Sequence, residues 1–218
     1  MWTREELKTN AKELLKANYW KVFLAAAVIS VMAGASQRFI KFGNTTLDNV
    51  KDTASAFTIL AITFGTLLFC VLFSIFVENL FTVGSQKLLL NCKEDCAQNS
   101  DLVFAFKNSY FNIVKTLFMQ KLITFVFTLL FVIPGIIKAY EYRMVPYLLA
   151  ENPDMDWREA LNTSKEMMDG QKWNAFILDM SFFGWHLLGI FTCGILELFY
   201  VSPYNLLTNA ELYHALKN

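Results

Sequence analysis

The feature that most constrains this chain is a set of apolar segments long enough to cross a lipid bilayer. Three of them occupy residues 19–36, 54–83 and 110–133. A helix needs about 20 mostly apolar residues to cross roughly 30 Å of hydrocarbon, because it rises about 1.5 Å per residue. These segments predict an all-α protein that is embedded in a membrane.

The composition agrees with a membrane protein. Hydrophobic residues make up 55% of the chain and charged residues 17%, with 21 phenylalanines among 218 residues. A soluble domain has about 45–50% apolar and about 25% charged residues. The formal net charge is +0, so the chain lacks the basic excess that favours nucleic acid, and we expect no nucleic-acid partner.

The segment at residues 135–150 allows more than one interpretation. It is apolar overall but contains Lys138, Glu141 and Arg143. It fits a fourth membrane span, and it also fits an interfacial or re-entrant piece.

The remaining segments complete the predicted topology. Residues 173–193 predict a fifth span and residues 195–216 a sixth, while the polar segments 38–52 and 91–101 predict loops. Proline removes a backbone donor and disturbs a helix. We therefore expect helix kinks at three positions: Pro134, Pro146 and Pro203.

Two shorter segments predict amphipathic helices on the membrane surface. They occupy residues 1–18 and 156–169, and the second ends at Gly170. Thr3 and Asp156 are suitable N-caps, and each is followed three residues later by a glutamate, as in a capping box. The predicted fold is thus a polytopic helical membrane protein, with six transmembrane helices as three hairpins preceded by amphipathic surface helices.

The chain repeats one unit three times within a single membrane domain. The units cover approximately residues 1–90, 99–152 and 153–218, and each passes from a surface helix through an aromatic motif into a hairpin. The aromatic motifs are KANYWKVF at 16–23, KNSYFNIV at 107–114 and GQKWNAF at 170–176.

The positive charges predict which side of the membrane each loop occupies. Lysine and arginine are enriched in cytoplasmic segments. With six spans and a cytoplasmic N-terminus, fifteen of the 19 basic residues, Lys172 among them, lie on the inner side. The outer side holds Arg38, Lys41, Lys51 and Lys138. This distribution favours both termini in the cytoplasm.

Ionisable residues within apolar segments are candidates for a ligand site or an ion pathway, because such groups cost about 2.5–3.5 kcal/mol near the bilayer centre. Lys138 and Glu141 are three residues apart and can pair on one helix face. Asp179 and His186 can form a proton relay on one face, or Asp179 can anchor its helix or pair with Arg143. The candidates are Glu78, Lys138, Glu141, Arg143, Asp179, His186 and Glu197.

The sequence has no motif for a known catalytic mechanism. It lacks G-x-S-x-G, H-E-x-x-H, a P-loop and a dinucleotide-binding fingerprint. Cys92 and Cys96 lie in a polar stretch without a neighbouring histidine or a second pair, which is typical of reduced loop thiols and not of a zinc site. We therefore expect no metal and no cofactor, and an enzyme is not supported.

Three stretches carry a family resemblance. They are REELKTNAKELLKANYWKVFL at 4–24, IPGIIKAYEYRMVPYLLAENPDMDWREALNTSKEMMDGQKW at 133–173 and FILDMSFFGWHLLGIFTCGI at 176–195. Together they resemble the bacterial membrane family catalogued as domain of unknown function 975. The resemblance implies an integral protein of the bacterial cytoplasmic membrane. The family has no established activity, so the resemblance implies no catalytic residues.

Three functions follow as expectations. The first is non-enzymatic binding of an amphipathic ligand, a lipid or a peptide, or a role as a transport accessory with an exporter as partner. The second is a small transporter or channel that uses the polar groups of the last four segments. The third is an intramembrane enzyme.

Overall fold

The computed structural model describes residues 2–50, 55–94, 96–192 and 194–217; for residues 36, 47, 49, 50 and 56 only the backbone is described. The regular structure in this part of the chain is helical throughout. The α-helices are α1 (Arg4–Val50), α2 (Ala56–Phe73), α3 (Asn79–Lys93), α4 (Phe104–Lys107), α5 (Tyr110–Leu130), α6 (Val132–Glu141), α7 (Val145–Glu151), α8 (Trp157–Met167), α9 (Lys172–Met180), α10 (Phe183–Phe191) and α11 (Ser202–Lys217). Between them lie the π-helical turns Ser74–Glu78 and Glu197–Val201 and the 3₁₀ helix Asn99–Val103.

Four helical segments in the described residues are long and apolar enough to cross a membrane. They are Arg4–Thr46, Phe57–Lys93, Tyr110–Leu130 and Lys172–Phe191. This agrees with the prediction of a helical protein whose apolar helices suit a membrane. The segments 135–150 and 195–216, predicted as the fourth and sixth spans, are not among these four.

The helices pair in antiparallel fashion, beginning with α1 and the continuous run of α2 and α3. Near the far end of this first hairpin, the rings of Phe39 and Phe69 lie 4.6 Å apart. At its near end, Asn18 Nδ2 donates to the carbonyl oxygen of Cys92 at 3.5 Å. Asn18 has non-helical backbone angles and kinks α1, so the segment before it changes direction.

The second hairpin pairs α5 with α6 and α7. Gly135 packs against Thr128 so closely that a Cβ on the glycine would lie 2.6 Å from Thr128 Cα. At the other end, Asn112 Nδ2 donates to the carbonyl oxygen of Pro153 at 2.8 Å. The return arm therefore follows α5 from its C-terminus to its first turn.

The third hairpin pairs α9 and α10 with the last π-helical turn and α11. The rings of Phe182 and Tyr204 lie 5.1 Å apart, and His186 contacts Glu197 nearer the turn.

The buried core lies at one end of the molecule, which we call the base. It joins the segment of α1 before Asn18 with α3, α4, α7, α8 and α11. At the other end of the hairpins, large apolar side chains are exposed; examples are Phe42, Phe57, Phe125, Leu129, Phe131, Ile133, Ile190 and Phe191. Exposed apolar surface on this scale is typical of helices that contact lipid.

Both segments predicted as amphipathic surface helices are helical, and their apolar faces pack against protein. In the first, Leu7, Ala11 and Leu15 are buried in the core of the base. The predicted cap is formed, with Thr3 Oγ1 accepting from the backbone N–H of Glu6 at 3.3 Å. The second, α8, likewise turns its apolar face into the base. These faces are therefore covered by the remaining helices of the base and not by the bilayer.

The prediction of a loop at residues 38–52 is wrong over the part that the structure describes, because α1 continues to Val50. Two features stabilise the extra turns. Gly43 packs directly against Thr66 of α2, and the hydroxyl of Thr45 donates a hydrogen bond to the carbonyl oxygen of Lys41. The first hairpin is consequently longer than predicted. Residues 51–54 lie outside the described residues.

The loop predicted at residues 91–101 is also shorter than expected. Helix α3 continues to Lys93 and buries Cys92 completely, whereas Cys96 lies exposed beyond the helix end. Cys92 is therefore a core residue and not a loop thiol.

Two of the three prolines follow breaks in the helices, and the third lies within a continuous one. The break before α6 lies at Phe131, whose backbone is extended, and Pro134 occupies the first turn of α6. Pro146 occupies the first turn of α7, whereas Pro203 lies within an uninterrupted helix, directly after the π-helical turn that runs into α11. A first turn needs no backbone N–H donors, which is why proline is tolerated at positions 134 and 146.

Candidate functional site

The turn between α6 and α7 is held by a serine from α8. Ser164 Oγ donates to the carbonyl oxygen of Glu141 at 2.7 Å and accepts from the backbone N–H of Met144 at 3.2 Å. Ser164 and Met144 are completely buried. Because unpaired buried backbone groups cost free energy, this serine fixes the turn that presents the ionisable residues.

Glu141 binds two lysines from different hairpins. Glu141 is 5% exposed, and its carboxylate contacts Lys138 Nζ at 2.6 Å and Lys172 Nζ at 2.7 Å. The predicted pair of Lys138 and Glu141 is thus present. The assignment of Lys138 to the outer side and Lys172 to the inner side is wrong, because two ammonium groups on one carboxylate lie at the same depth. The reason is that α9 begins beside the end of α6.

Arg143 is the centre of a second network across three helices. Its guanidinium donates to both carboxylate oxygens of Asp179, at 2.8 and 2.7 Å, and to Asn209 Oδ1 at 2.6 Å. The hydroxyl of Tyr140 donates to the same carboxylate at 2.9 Å. A guanidinium that binds a carboxylate through two parallel hydrogen bonds is strongly oriented. The network therefore ties the second hairpin to both arms of the third.

The geometry agrees with Asp179 as a partner of Arg143 and not with a proton relay between Asp179 and His186. Asp179 pairs with Arg143, as the anchoring interpretation expects. A relay with His186 is not formed, because the helix breaks between Met180 and Phe183. The fully paired charges suit a structural tie between hairpins better than proton transfer.

His186 and Glu197 form a separate pair near the turn of the third hairpin. His186 Nδ1 lies 3.0 Å from Glu197 Oε2, and the hydroxyl of Ser202 donates to Glu197 Oε1 at 3.2 Å. Both side chains are partly exposed. Gly189 faces this pair, since a Cβ there would lie 3.0 Å from Glu197 Oε2. The spacing of His186 and Glu197 in the sequence did not predict that they form a pair.

Glu78 lies apart from the other candidates, between the first and second hairpins. It ends the π-helical turn that begins at Ser74, and Lys121 of α5 donates to Ser74 Oγ at 3.3 Å. Lys121 also interacts electrostatically with Glu78. π-Helical turns often mark functional positions.

The seven candidates from the sequence therefore lie in three separate places. The largest group also contains residues that were not candidates. The ion-pair cluster, as we call it, consists of Lys138, Tyr140, Glu141, Arg143, Lys172, Asp179 and Asn209. Lys138, Glu141, Arg143 and Asp179 were candidates from the sequence, whereas Tyr140, Lys172 and Asn209 were not. In the part of the chain that the structure describes, no group of three or more His, Cys, Asp or Glu side chains is placed to hold a metal ion.

A cleft of about 450 Å³ separates the first hairpin from α5. We call it the hairpin cleft. It has six apolar side chains and one cation in its walls: Leu72, Ile75, Phe76, Phe111, Val114, Phe118 and Lys115. Such a cleft combines an apolar interior with one positively charged group.

A family model described as "Protein of unknown function (DUF975)" matches residues 102–218. The match includes the second and third hairpins with the whole ion-pair cluster. The opening stretch at 4–24, for which the sequence also suggested a resemblance, lies outside the matched residues. No curated protein and no solved structure matches the chain.

Proposed function

We propose that this chain, which belongs to the DUF975 family of proteins of unknown function, is a membrane protein that binds an amphipathic ligand between its hairpins. The observation that carries the proposal is the hairpin cleft. Its walls are apolar except for Lys115, so it suits one hydrocarbon chain with an anionic head. The ligand class is thus a lipid, or a peptide with an apolar face.

The proposed topology places six transmembrane helices, as three hairpins, in the cytoplasmic membrane of a bacterium. Support comes from the return arm of the second hairpin, which follows α5 back to its first turn. Since α5 is 21 residues long, about 30 Å at 1.5 Å per residue, a return arm of the same reach spans the same thickness. The base and both termini then lie in the cytoplasm.

Within this proposal the ion-pair cluster holds the second and third hairpins together. Each of its two carboxylates is bound by at least one cation, Asp179 by Arg143 and Glu141 by Lys138 and Lys172, so these contacts join the two hairpins directly. A role as an accessory to an exporter is compatible with this arrangement, since the exposed arms remain available to a partner.

The binding test uses a fluorescent fatty acid and the protein in non-ionic detergent micelles. Val114→Trp fills the cleft and is expected to weaken binding at least tenfold. Leu129→Trp is the matched control, because Leu129 lies on the same helix, is 76% exposed and is not part of the cleft. Equal binding by both variants would rule out the cleft as the site.

Val114 is buried, so a tryptophan at this position can weaken binding by disturbing the fold. A second variant therefore tests the cleft through an exposed residue. Lys115→Gln is expected to weaken binding of the fatty acid while leaving binding of the corresponding fatty alcohol unchanged. Lys107→Gln, an exposed lysine at the end of α4, removes the same charge away from the cleft. We therefore expect weaker binding only in Lys115→Gln, and only of the ligand that has the anionic head.

A further inference from the structure

The segment of α1 before its kink carries a row of cations. Arg4, Lys8 and Lys12 follow one another at intervals of four residues, which places them on one face of the helix. Lys8 Nζ lies 4.5 Å from the centre of the Phe182 ring, and Lys12 Nζ lies 5.7 Å from that of Tyr204. The row therefore faces the third hairpin.

Within the described residues, none of these three cations forms an ion pair, although five ion pairs of other lysines or arginines are present there. Lys8 Nζ donates only to the carbonyl oxygen of Ser181, at 3.5 Å. Neighbouring like charges repel one another, and an anion placed between them relieves that repulsion.

A groove of about 730 Å³ opens between this cationic row and α9. Arg4 and Lys8 line one side, and Asn174, Ile177 and Ser181 line the other. Trp2 and Glu5 also contribute to the wall, so one carboxylate accompanies the two cations. The groove therefore offers positive charge, polar side chains and an apolar surface together.

The groove lies where the first surface helix meets the start of an apolar segment. Trp173, next to Asn174 of the groove, is 69% exposed, and Phe176 is also exposed. Exposed tryptophan at the end of an apolar helix is typical of the membrane–water interface. A headgroup in the groove can thus leave its acyl chains along the exposed apolar face of α9.

The chemistry of the groove points to phosphate. Arginine binds phosphate through a planar fork of donors, and lysine binds it as a compact point charge. We propose that the groove between the N-terminal segment of α1 and α9 binds a phosphate group, supplied in the membrane by an anionic phospholipid. This site is separate from the hairpin cleft and does not depend on it.

The test measures binding of phosphatidylglycerol and of phosphatidylcholine with identical chains to the full protein in non-ionic detergent. We expect saturable binding of phosphatidylglycerol and at least tenfold weaker binding of phosphatidylcholine. The double variant Arg4→Gln/Lys8→Gln should lower the affinity for phosphatidylglycerol at least tenfold. The control Lys16→Gln/Lys107→Gln removes two exposed lysines outside the groove and should leave the affinity unchanged.

Two single variants keep the test decisive if the double variant is poorly folded, since Lys8 packs on Phe182. Arg4→Gln alone should weaken binding. Glu5→Gln removes the carboxylate beside the cations and should strengthen it, a change of sign that loss of structure does not produce. Unchanged affinity in both would overturn the proposal.

Inorganic phosphate distinguishes the two sources of the phosphate group. We expect millimolar phosphate to leave the bound phosphatidylglycerol in place, which identifies a lipid headgroup as the ligand. Full displacement by phosphate, lost in Arg4→Gln, would support the phosphate site but assign it to free phosphate. Equal binding of the two phospholipids, unaffected by the variants, would contradict the site altogether.

Discussion

Arg143 and Asp179 stand 36 positions apart and form an ion pair through two parallel hydrogen bonds of 2.8 and 2.7 Å. Arg143 follows the first half of the second hairpin's return arm, and Asp179 ends the first helix of the third hairpin. The pair therefore connects the second and third hairpins, and Asn209 extends the connection to α11.

Asp179→Asn should destabilise the protein. The amide keeps the shape of the carboxylate but leaves the charge of Arg143 without a counterion. We expect a loss of about 1–3 kcal/mol, towards the lower end because the Asp179 side chain is 35% exposed. The midpoint of thermal unfolding in detergent measures it. Asp169→Asn, which neutralises an exposed aspartate after α8, should leave the midpoint unchanged.

Replacing both partners of the pair gives a sharper measurement. Arg143→Met/Asp179→Leu removes both charges at once, and replacement of a buried ion pair by apolar side chains is often neutral. The double variant should be more stable than either single variant. Additive losses would mean that the two side chains do not interact in the folded protein.

Ser164→Ala should loosen the turn between α6 and α7. It leaves the N–H of Met144 and the carbonyl of Glu141 without their buried partner, which costs about 1–3 kcal/mol. Thr163→Ala is the matched control, because the neighbouring side chain is partly exposed and removal of its hydroxyl spares the turn. A thermal midpoint for Ser164→Ala equal to that of the control would show that the turn does not need the serine.

The sequence predicted the helices and their order well, because apolar segments of about 20 residues have few alternatives to a helix in lipid. It predicted the pair of Lys138 and Glu141 because a spacing of three residues places both on one helix face. It could not predict that Lys172 joins them. That contact depends on where α9 begins relative to the end of α6, which no local pattern records.

Gly84→Ala should be among the most damaging small substitutions in the base. A Cβ at this position would lie 2.6 Å from the backbone carbon of Leu102 and even closer to its oxygen, and backbone atoms cannot move aside. We expect a loss of about 1–3 kcal/mol, as overpacking usually costs.

Gly65→Ala is the control for that substitution. Nothing lies within 4 Å of a Cβ at Gly65, and alanine is favoured over glycine within a helix by about 1 kcal/mol. The control should therefore unfold at the same temperature as the original protein or higher. Equal effects of the two substitutions on thermal unfolding would contradict the close packing of α3 on the 3₁₀ helix.

The second hairpin should place its turn and its base on opposite sides of the membrane. Single cysteines at Phe131 and Asn152, both exposed, are introduced after the native cysteines have been replaced. In intact cells, a thiol reagent that cannot cross the membrane should label Phe131→Cys and spare Asn152→Cys. Labelling of both or of neither from outside would mean that the return arm does not cross.

Two errors of the sequence analysis have physical causes. The segment at 38–52 contains polar residues typical of a loop, but the close packing of Gly43 on Thr66 extends the helix through it. The pairing of His186 with Glu197 was not predicted because it depends on the break between α9 and α10, which moves His186 off the face of Asp179. In both cases tertiary packing outweighs the local pattern.

Native mass spectrometry of the protein released from mild detergent tests the central claim most directly, since a ligand held between hairpins adds a discrete mass to the polypeptide. We expect such a mass on the original protein and on Leu129→Trp, and a clear decrease of it on Val114→Trp. Retention on all three would assign the ligand to another surface. A bare polypeptide in every case would contradict the proposal that the hairpins bind an amphipathic ligand.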